Sequence, residues 1–277
     1  MAKIPSKEKR KLWFDMPRFL HVRVNKSVPN AKGTVVLIHG IGNTGQAWSK
    51  VIDRLPEDLN VVTFDLLGFG ESPKPSVSYN NRIQARSIIL TLLRLRMATK
   101  LILVGHSMGS LISIELAKRY PYLVKGLVLC SPPIYRDKKQ QQETLIAAEA
   151  ALIKFYRNLR GKMEESPDRF FRIAKTATKA KIASRSLQLD ETTVRPYIQA
   201  LEASIIEQTS MNDIKTLNIP INIIYGRLDP LIIPTNLKIA AQNKFNVDLT
   251  PITALHEVSA PYIPKIVAAV RDIEEQI

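Results

Sequence analysis

Cysteine is nearly missing from this chain. Cys130 stands alone, which excludes an internal disulfide and any cluster of cysteine metal ligands. Long apolar runs are missing too: none approaches the roughly 18 residues a membrane-spanning helix requires. The basic start Lys7-Glu8-Lys9-Arg10-Lys11 is followed by no apolar core segment of the kind a secretory signal carries, so a cytoplasmic protein is expected. Aromatic residues make up only 6% of the sequence, and few are interleaved with the basic ones. Neither a zinc finger nor an RNA-binding aromatic motif occurs, and no nucleic-acid partner is expected. Internal repeats and low-complexity tracts are absent, and nothing in the sequence sets an oligomeric state.

What is present suits a globular enzyme. With 277 residues, 45% of them apolar, the chain can bury a large core, and one α/β domain with an insertion fits better than two independent domains. The net charge of +15 is unevenly spread. Residues 1–33 hold nine Lys and Arg against Glu8 and Asp15, and residues 134–185 hold thirteen against six acids, which is +7 in each segment. The remainder is nearly neutral. Solvated faces are the plain reading of such charge. The functional one is peripheral contact with an anionic membrane through the N-terminus and the segment after residue 133, each nearby cation contributing ~1 kcal/mol.

Strand and helix patterns alternate through the first half. Phe19 to Val24 alternates as a half-buried strand, and Thr34 to Ile38 is a continuous β-branched run of the kind buried on both faces. It ends in the glycine-rich loop His39-Gly40-Ile41-Gly42-Asn43-Thr44-Gly45, before a helix through Trp48 to Leu55. Asn60 to Phe64 reads as the next strand, Asn81 to Met97 as a helix, Leu101 to Val104 as a strand, Ser110 to Tyr120 as a helix, and Gly126 to Cys130 as a strand. This order implies a mostly parallel sheet with helices on both faces. From Asp137 to Met211 only helical periodicity appears, at Thr144 to Leu159, Asp168 to Ile182 and Asp190 to Ile206, the last with Asp190 as N-cap. Alternation then resumes with strands at Ile219 to Tyr225 and Val247 to Ile252, and helices at Pro234 to Gln242 and Pro261 to Glu275. The expected organisation is a core of residues 1–133 and 212–277 interrupted by a helical cap, 134–211.

The most informative stretch is Val104-Gly105-His106-Ser107-Met108-Gly109-Ser110. Gly105 and Gly109 flank Ser107 at two residues on either side, between a strand and a helix. This G-x-S-x-G pattern is a nucleophile elbow in the context it needs: the serine sits on a strained bend, and the glycines let strand and helix pack closely. The Met108 N–H, in the first helical turn, faces charge developing on an attacked oxygen. In an open parallel sheet ligands bind at the strand carboxyl ends, and His39-Gly40-Ile41, Ser107, Asp229 and His256 all follow predicted strands.

The order serine, acid, histidine, together with His39-Gly40, Asp65-Leu66-Leu67-Gly68-Phe69-Gly70-Glu71-Ser72 and Gly226-Arg227-Leu228-Asp229-Pro230, resembles the serine hydrolases of the α/β-hydrolase superfamily from about residue 19 onward, the cap excepted. The resemblance implies that Ser107 is the nucleophile, that His256 takes its proton, and that Asp229 orients His256, with Asp137 and Asp248 as rival acids. It implies an oxyanion hole from the Met108 and Ile41 N–H groups, a packing role for His106 beneath the elbow, and a structural role for Asp65 and Glu71. It implies neither metal nor organic cofactor. One departure is that Leu255, not the glycine of many relatives, precedes His256. The implied reaction is cleavage of an acyl bond in a small-molecule substrate through an acyl-serine, most simply a carboxylic ester. Thioester, amide and carbon–carbon bonds, perhydrolysis, and a non-catalytic ligand receptor on the same fold are the alternatives. Leu145, Leu152, Phe155, Phe170 and Phe171 are candidates to line an apolar acyl pocket.

Overall fold

The computed structural model describes residues 16–136, 147–166, 190 and 192–277. Seven strands form one sheet in the order β1-β3-β2-β4-β5-β6-β7. These are β1 (Val22–Lys26), β2 (Thr34–Ile38), β3 (Asn60–Phe64), β4 (Leu101–His106), β5 (Val124–Cys130), β6 (Ile221–Gly226) and β7 (Val247–Ile252). All neighbouring pairs are parallel except β1 with β3, so the first predicted strand forms an antiparallel edge and begins three residues later than its alternation suggests.

The central strands are buried on both faces, and their period of two sorts them between two apolar layers. Val36, Ile38, Leu101, Leu103, Leu127 and Leu129 point to one side. There they meet the helices α2 (Asn81–Arg94), α3 (Met108–Arg119), α6 (Ser210–Thr216) and α7 (Pro234–Ala241). Val35, Leu37, Ile102, Val104, Val128 and Cys130 point to the other, against Trp48, the short helix α1 (Ser49–Ile52) and α8 (Tyr262–Glu274). The helix predicted through Trp48 to Leu55 is a 3-10 turn, Gly45–Trp48, followed by α1.

Between β5 and β6 the described residues form helices and no strand: α4 (Ala147–Glu165), α5 (Val194–Ala200), a π-helical turn at Leu201–Ile206, and α6. Asp190 caps the turn entering α5, its Oδ1 accepting the N–H groups of Thr192 at 2.8 Å and Thr193 at 2.9 Å. The helix expected over Asp168 to Ile182 lies outside the described residues, as do Leu145, Phe170 and Phe171. Of the other acyl-pocket candidates, Leu152 packs half-buried against the core, while Phe155 is 52% exposed and turned to solvent. No described helix is long and apolar enough to cross a membrane.

Candidate active site

Ser107 stands at the junction of β4 and α3 with φ 52° and ψ −120°, a left-handed conformation that costs an L-residue on the order of 1–3 kcal/mol. Close packing imposes it. A Cβ on Gly109 would lie 2.2 Å from the Ile38 carbonyl oxygen, and one on Gly105 would lie 2.5 Å from the Gly109 oxygen. Strand and helix therefore cross at a separation that only glycine tolerates, and the bend between them carries the serine hydroxyl upward from the sheet. The Ser110 hydroxyl donates to the Gly105 oxygen at 2.8 Å and ties the two sides of the elbow together.

The loops after three parallel strands bring Ser107, Asp229 and His256 together. His256 Nε2 is 2.9 Å from Ser107 Oγ, and His256 Nδ1 is 2.7 Å from Asp229 Oδ2. Burial by itself would raise the Asp229 pKa, but the hydrogen bond from His256, the charge of that ring, the Leu231 N–H and the Ser131 hydroxyl outweigh it and hold the pKa below 3.8. With Asp229 ionised, the imidazole proton sits on Nδ1, and Nε2 is left to accept from the serine. Of the rival acids, Asp248 is an exposed residue within β7 and does not make this contact, and Asp137 lies outside the described residues.

Around these three side chains lies a ring of buried support. His106 Nε2–H donates to the backbone oxygen of His256 at 2.9 Å, so His106 holds the loop that carries the histidine as well as packing below the elbow. Burial, and then the neighbouring His256, lower the His106 pKa and keep it neutral. Two residues were not foreseen. Ser131, just after β5 with φ 44°, helps to lower the Asp229 pKa and lies 2.6 Å from the Tyr262 hydroxyl. Tyr262 in turn donates to the Leu255 oxygen at 3.1 Å, fixing the residue that replaces the expected glycine. The only sequence signal for Ser131 was its place after a strand. Tyr262 falls within the predicted helix Pro261 to Glu275 and carries no signal of its own.

The glycine-rich loop after β2 is held from below. His39 is 1% exposed, with Nδ1 donating to the Gly40 oxygen at 2.7 Å and Nε2 accepting the Leu66 N–H at 2.9 Å. Both nitrogens are thus committed by one neutral tautomer. Burial lowers the His39 pKa from 6.5 to about 4, against smaller raising effects from the Gly40 oxygen and Asp65. The unfolded chain therefore takes up this proton below about pH 6.5 while the folded chain resists until about pH 4, so stability falls with pH across that window, by on the order of 3 kcal/mol in full. Urea unfolding at pH 7 and pH 5 should show about 2 kcal/mol of this loss. His39→Gln, less stable at pH 7, should show a flatter dependence. A wild-type stability unchanged between the two pH values would contradict the assignment.

Among the described residues no group of three or more His, Cys, Asp or Glu side chains is placed to hold a metal ion. Glu257, next to His256, is half-buried and lines a side cavity of about 460 Å³ with His39, Asn43, Trp48 and His106.

Comparison with known proteins bears on the family and the fold. The model of a family described as serine aminopeptidase, S33, matches residues 29–247. A probable lysophospholipase of Arabidopsis thaliana, BODYGUARD 2, is 30% identical over 130 residues, which is 45% of this chain and 28% of that protein. The chain thus matches less than a third of the length of such curated relatives. Among solved structures, a thermophilic esterase from Thermogutta terrifontis superposes with a TM-score of 0.70 at 18% identity, covering 91% of this chain and 92% of that one. An epoxide hydrolase from Bacillus megaterium does so with a TM-score of 0.66 at 20% identity, covering 92% and 96%. At such identities the likeness is one of fold.

Proposed function

The chain belongs to the serine aminopeptidase S33 family of α/β-hydrolase enzymes, and from that membership we propose that it is a serine hydrolase cleaving a carboxylic ester through an acyl-Ser107 intermediate. The observation that carries the reading is the continuous relay from Ser107 Oγ through His256 to Asp229, at 2.9 and 2.7 Å, on a serine held at φ 52°. A serine hydroxyl is a weak nucleophile at neutral pH unless a base takes its proton as it attacks. In this reading Ser107 Oγ bonds to the ester carbonyl carbon and its proton passes to His256 Nε2. Asp229 stabilises the resulting imidazolium. The carbonyl oxygen, now negative, is held by the Met108 N–H at the start of α3 and by the Ile41 N–H of the glycine-rich loop. Collapse expels the alcohol, which takes the proton from His256. Water, deprotonated by the same nitrogen, then releases the acid and frees the serine.

The helical insertion, 134–211, is a cap over the strand carboxyl ends in this proposal. Its support is local: Tyr135, on the segment leaving β5, donates to the Leu231 oxygen two residues beyond Asp229 at 2.7 Å, and its ring lies 6.3 Å from that of Tyr156 on α4. The substrate is a small acyl ester or lysophospholipid-like ester, the second suggested by the relatives' printed names.

A p-nitrophenyl ester series from acetate to palmitate tests the proposal. A burst of nitrophenol equal to the enzyme concentration, followed by slower turnover, is expected from an acyl-enzyme. Asp229→Asn should keep the fold and lower kcat by about 10⁴, because the imidazole would then hold its proton on the wrong nitrogen. A correctly folded protein that is inactive on every ester would move the reaction to a carbon–carbon or amide bond.

A further inference from the structure

A surface rich in positive charge runs along α2, with Glu115, Glu207 and Asp213 near Arg82 at its N-terminal end. From Ser72 to Ile114 the sequence has six Lys and Arg and neither Asp nor Glu, and residues 16–33 have four and none. The fold joins these two acid-free stretches. The Arg18 N–H donates to Ser87 Oγ at 3.2 Å and the Leu20 N–H to Thr91 Oγ1 at 2.9 Å, so residues 16–20 lie as a strap along α2. The Arg94 guanidinium stands 4.8 Å from the centroid of the Phe19 ring and closes the seam between strap and helix.

Arg18, Arg82, Arg86, Arg94 and Arg96 are all exposed, and among the described residues none of the five forms an ion pair with a carboxylate. Large apolar side chains protrude between them: Met16 is 57% exposed, Phe19 44% and Leu93 59%. Arg82, Arg86 and Leu93 fall within about 40° of one another around the helix, so charge and apolar surface share one stripe.

We propose that this face, α2 with the strap 16–20, docks the protein peripherally on an anionic phospholipid surface. The arginines engage headgroup phosphates, and Phe19 and Leu93 enter the boundary between headgroups and acyl chains. Charge complementarity alone would suit any polyanion. The apolar side chains decide for lipid, because in contact with a solvated nucleic acid they would stay in water, whereas at a bilayer interface they leave it. The sequence preceding Met16 carries five more cations against Glu8 and Asp15 and adds to the same attraction. Docking on this flank does not obstruct the site. α2 connects the parallel strands β3 and β4 and so runs against their direction, and the strand carboxyl ends, where Ser107 stands, open beside the bilayer.

The test is co-sedimentation of the full chain with phosphatidylcholine vesicles, with and without phosphatidylserine, at low and high salt. Wild type should bind only the vesicles containing phosphatidylserine, and less at high salt. Arg86→Glu with Arg94→Glu should weaken that binding by about thirtyfold or more. Phe19→Ser with Leu93→Ser should weaken it by about tenfold and remove what survives high salt. Lys50→Glu with Arg54→Glu, the same charge change on α1 and the loop after it across the sheet, should cost far less. Ester hydrolysis and circular dichroism check that each variant is folded. Equal losses for the two charge pairs would overturn the proposal in favour of net charge alone. Undiminished vesicle binding by the Phe19 and Leu93 pair, with duplex DNA competing fully, would overturn it in favour of a general polyanion site. Failure of wild type to bind either vesicle would end it.

Discussion

Replacing Ser107 with alanine is expected to lower kcat on a p-nitrophenyl ester by about 10⁶ and to abolish the burst, with little change in the fold. The hydroxyl contributes almost nothing to packing. Its Oγ meets His256, and the turn is held by the Ser110 bond to Gly105 and by the close crossing at Gly109, neither of which uses the Ser107 side chain. The backbone strain at φ 52° remains in alanine, so the stability of Ser107→Ala should stay near that of wild type. Glycine separates the two contributions. Ser107→Gly is equally inactive but free of the left-handed penalty, and after the extra chain entropy glycine loses on folding it should be more stable by about 1 kcal/mol in urea unfolding. Stability rising while activity vanishes is the signature of strain held for function. Equal rates in wild type and Ser107→Ala would remove this serine from the reaction.

Much of this arrangement was legible in the residues, and for identifiable reasons. The strands at Thr34 and Asn60 appear over the residues where apolar, β-branched runs place them, because a strand buried on both faces leaves an uninterrupted hydrophobic signature. Ser107 could be found because its glycines are sterically obligatory, and obligatory glycines at fixed spacing leave a pattern. Ser131 and Tyr262 left none: a serine at φ 44° and a tyrosine in an amphipathic helix have no local signature, and their bond spans 131 positions. The same holds for the strap on α2. Ser87 and Thr91 look like ordinary polar positions in a helix until the fold brings the Arg18 and Leu20 N–H groups to them. The antiparallel start of the sheet was hidden because alternation reports which residues face inward, not the direction of the neighbouring strand.

Asp65 is where the largest loss of stability is expected. Its carboxylate is fully buried, and it accepts one bifurcated hydrogen bond from Arg23 Nε–H, 3.0 Å from both oxygens, one from Arg23 Nη2 at 2.7 Å, and the backbone N–H groups of Gly45 at 3.0 Å and Glu71 at 2.8 Å. Burial would raise its pKa, but Arg23 and the two N–H groups outweigh burial and hold it below 3.8. Its charge therefore persists through the window in which His39 titrates, and the stability it contributes is lost only at lower pH. Asp65→Ala should cost about 3–5 kcal/mol, since it leaves a largely buried guanidinium with only the exposed Glu71 carboxylate, 2.8 Å from Nη1, and orphans two backbone donors. Urea unfolding with an unchanged m-value would measure it. The double variant Arg23→Met with Asp65→Leu should recover only part of the loss: no unpaired charge remains, but the Gly45 and Glu71 donors still lack their acceptor. Activity should fall as well. Gly45 ends the loop that carries Ile41, so loosening it displaces the Ile41 N–H, and a misplacement of about 1 Å costs on the order of 10² in rate. In the folded Asp65→Ala protein that fall should appear in kcat more than in KM. A loss confined to KM would mean that the loop serves substrate binding rather than the oxyanion.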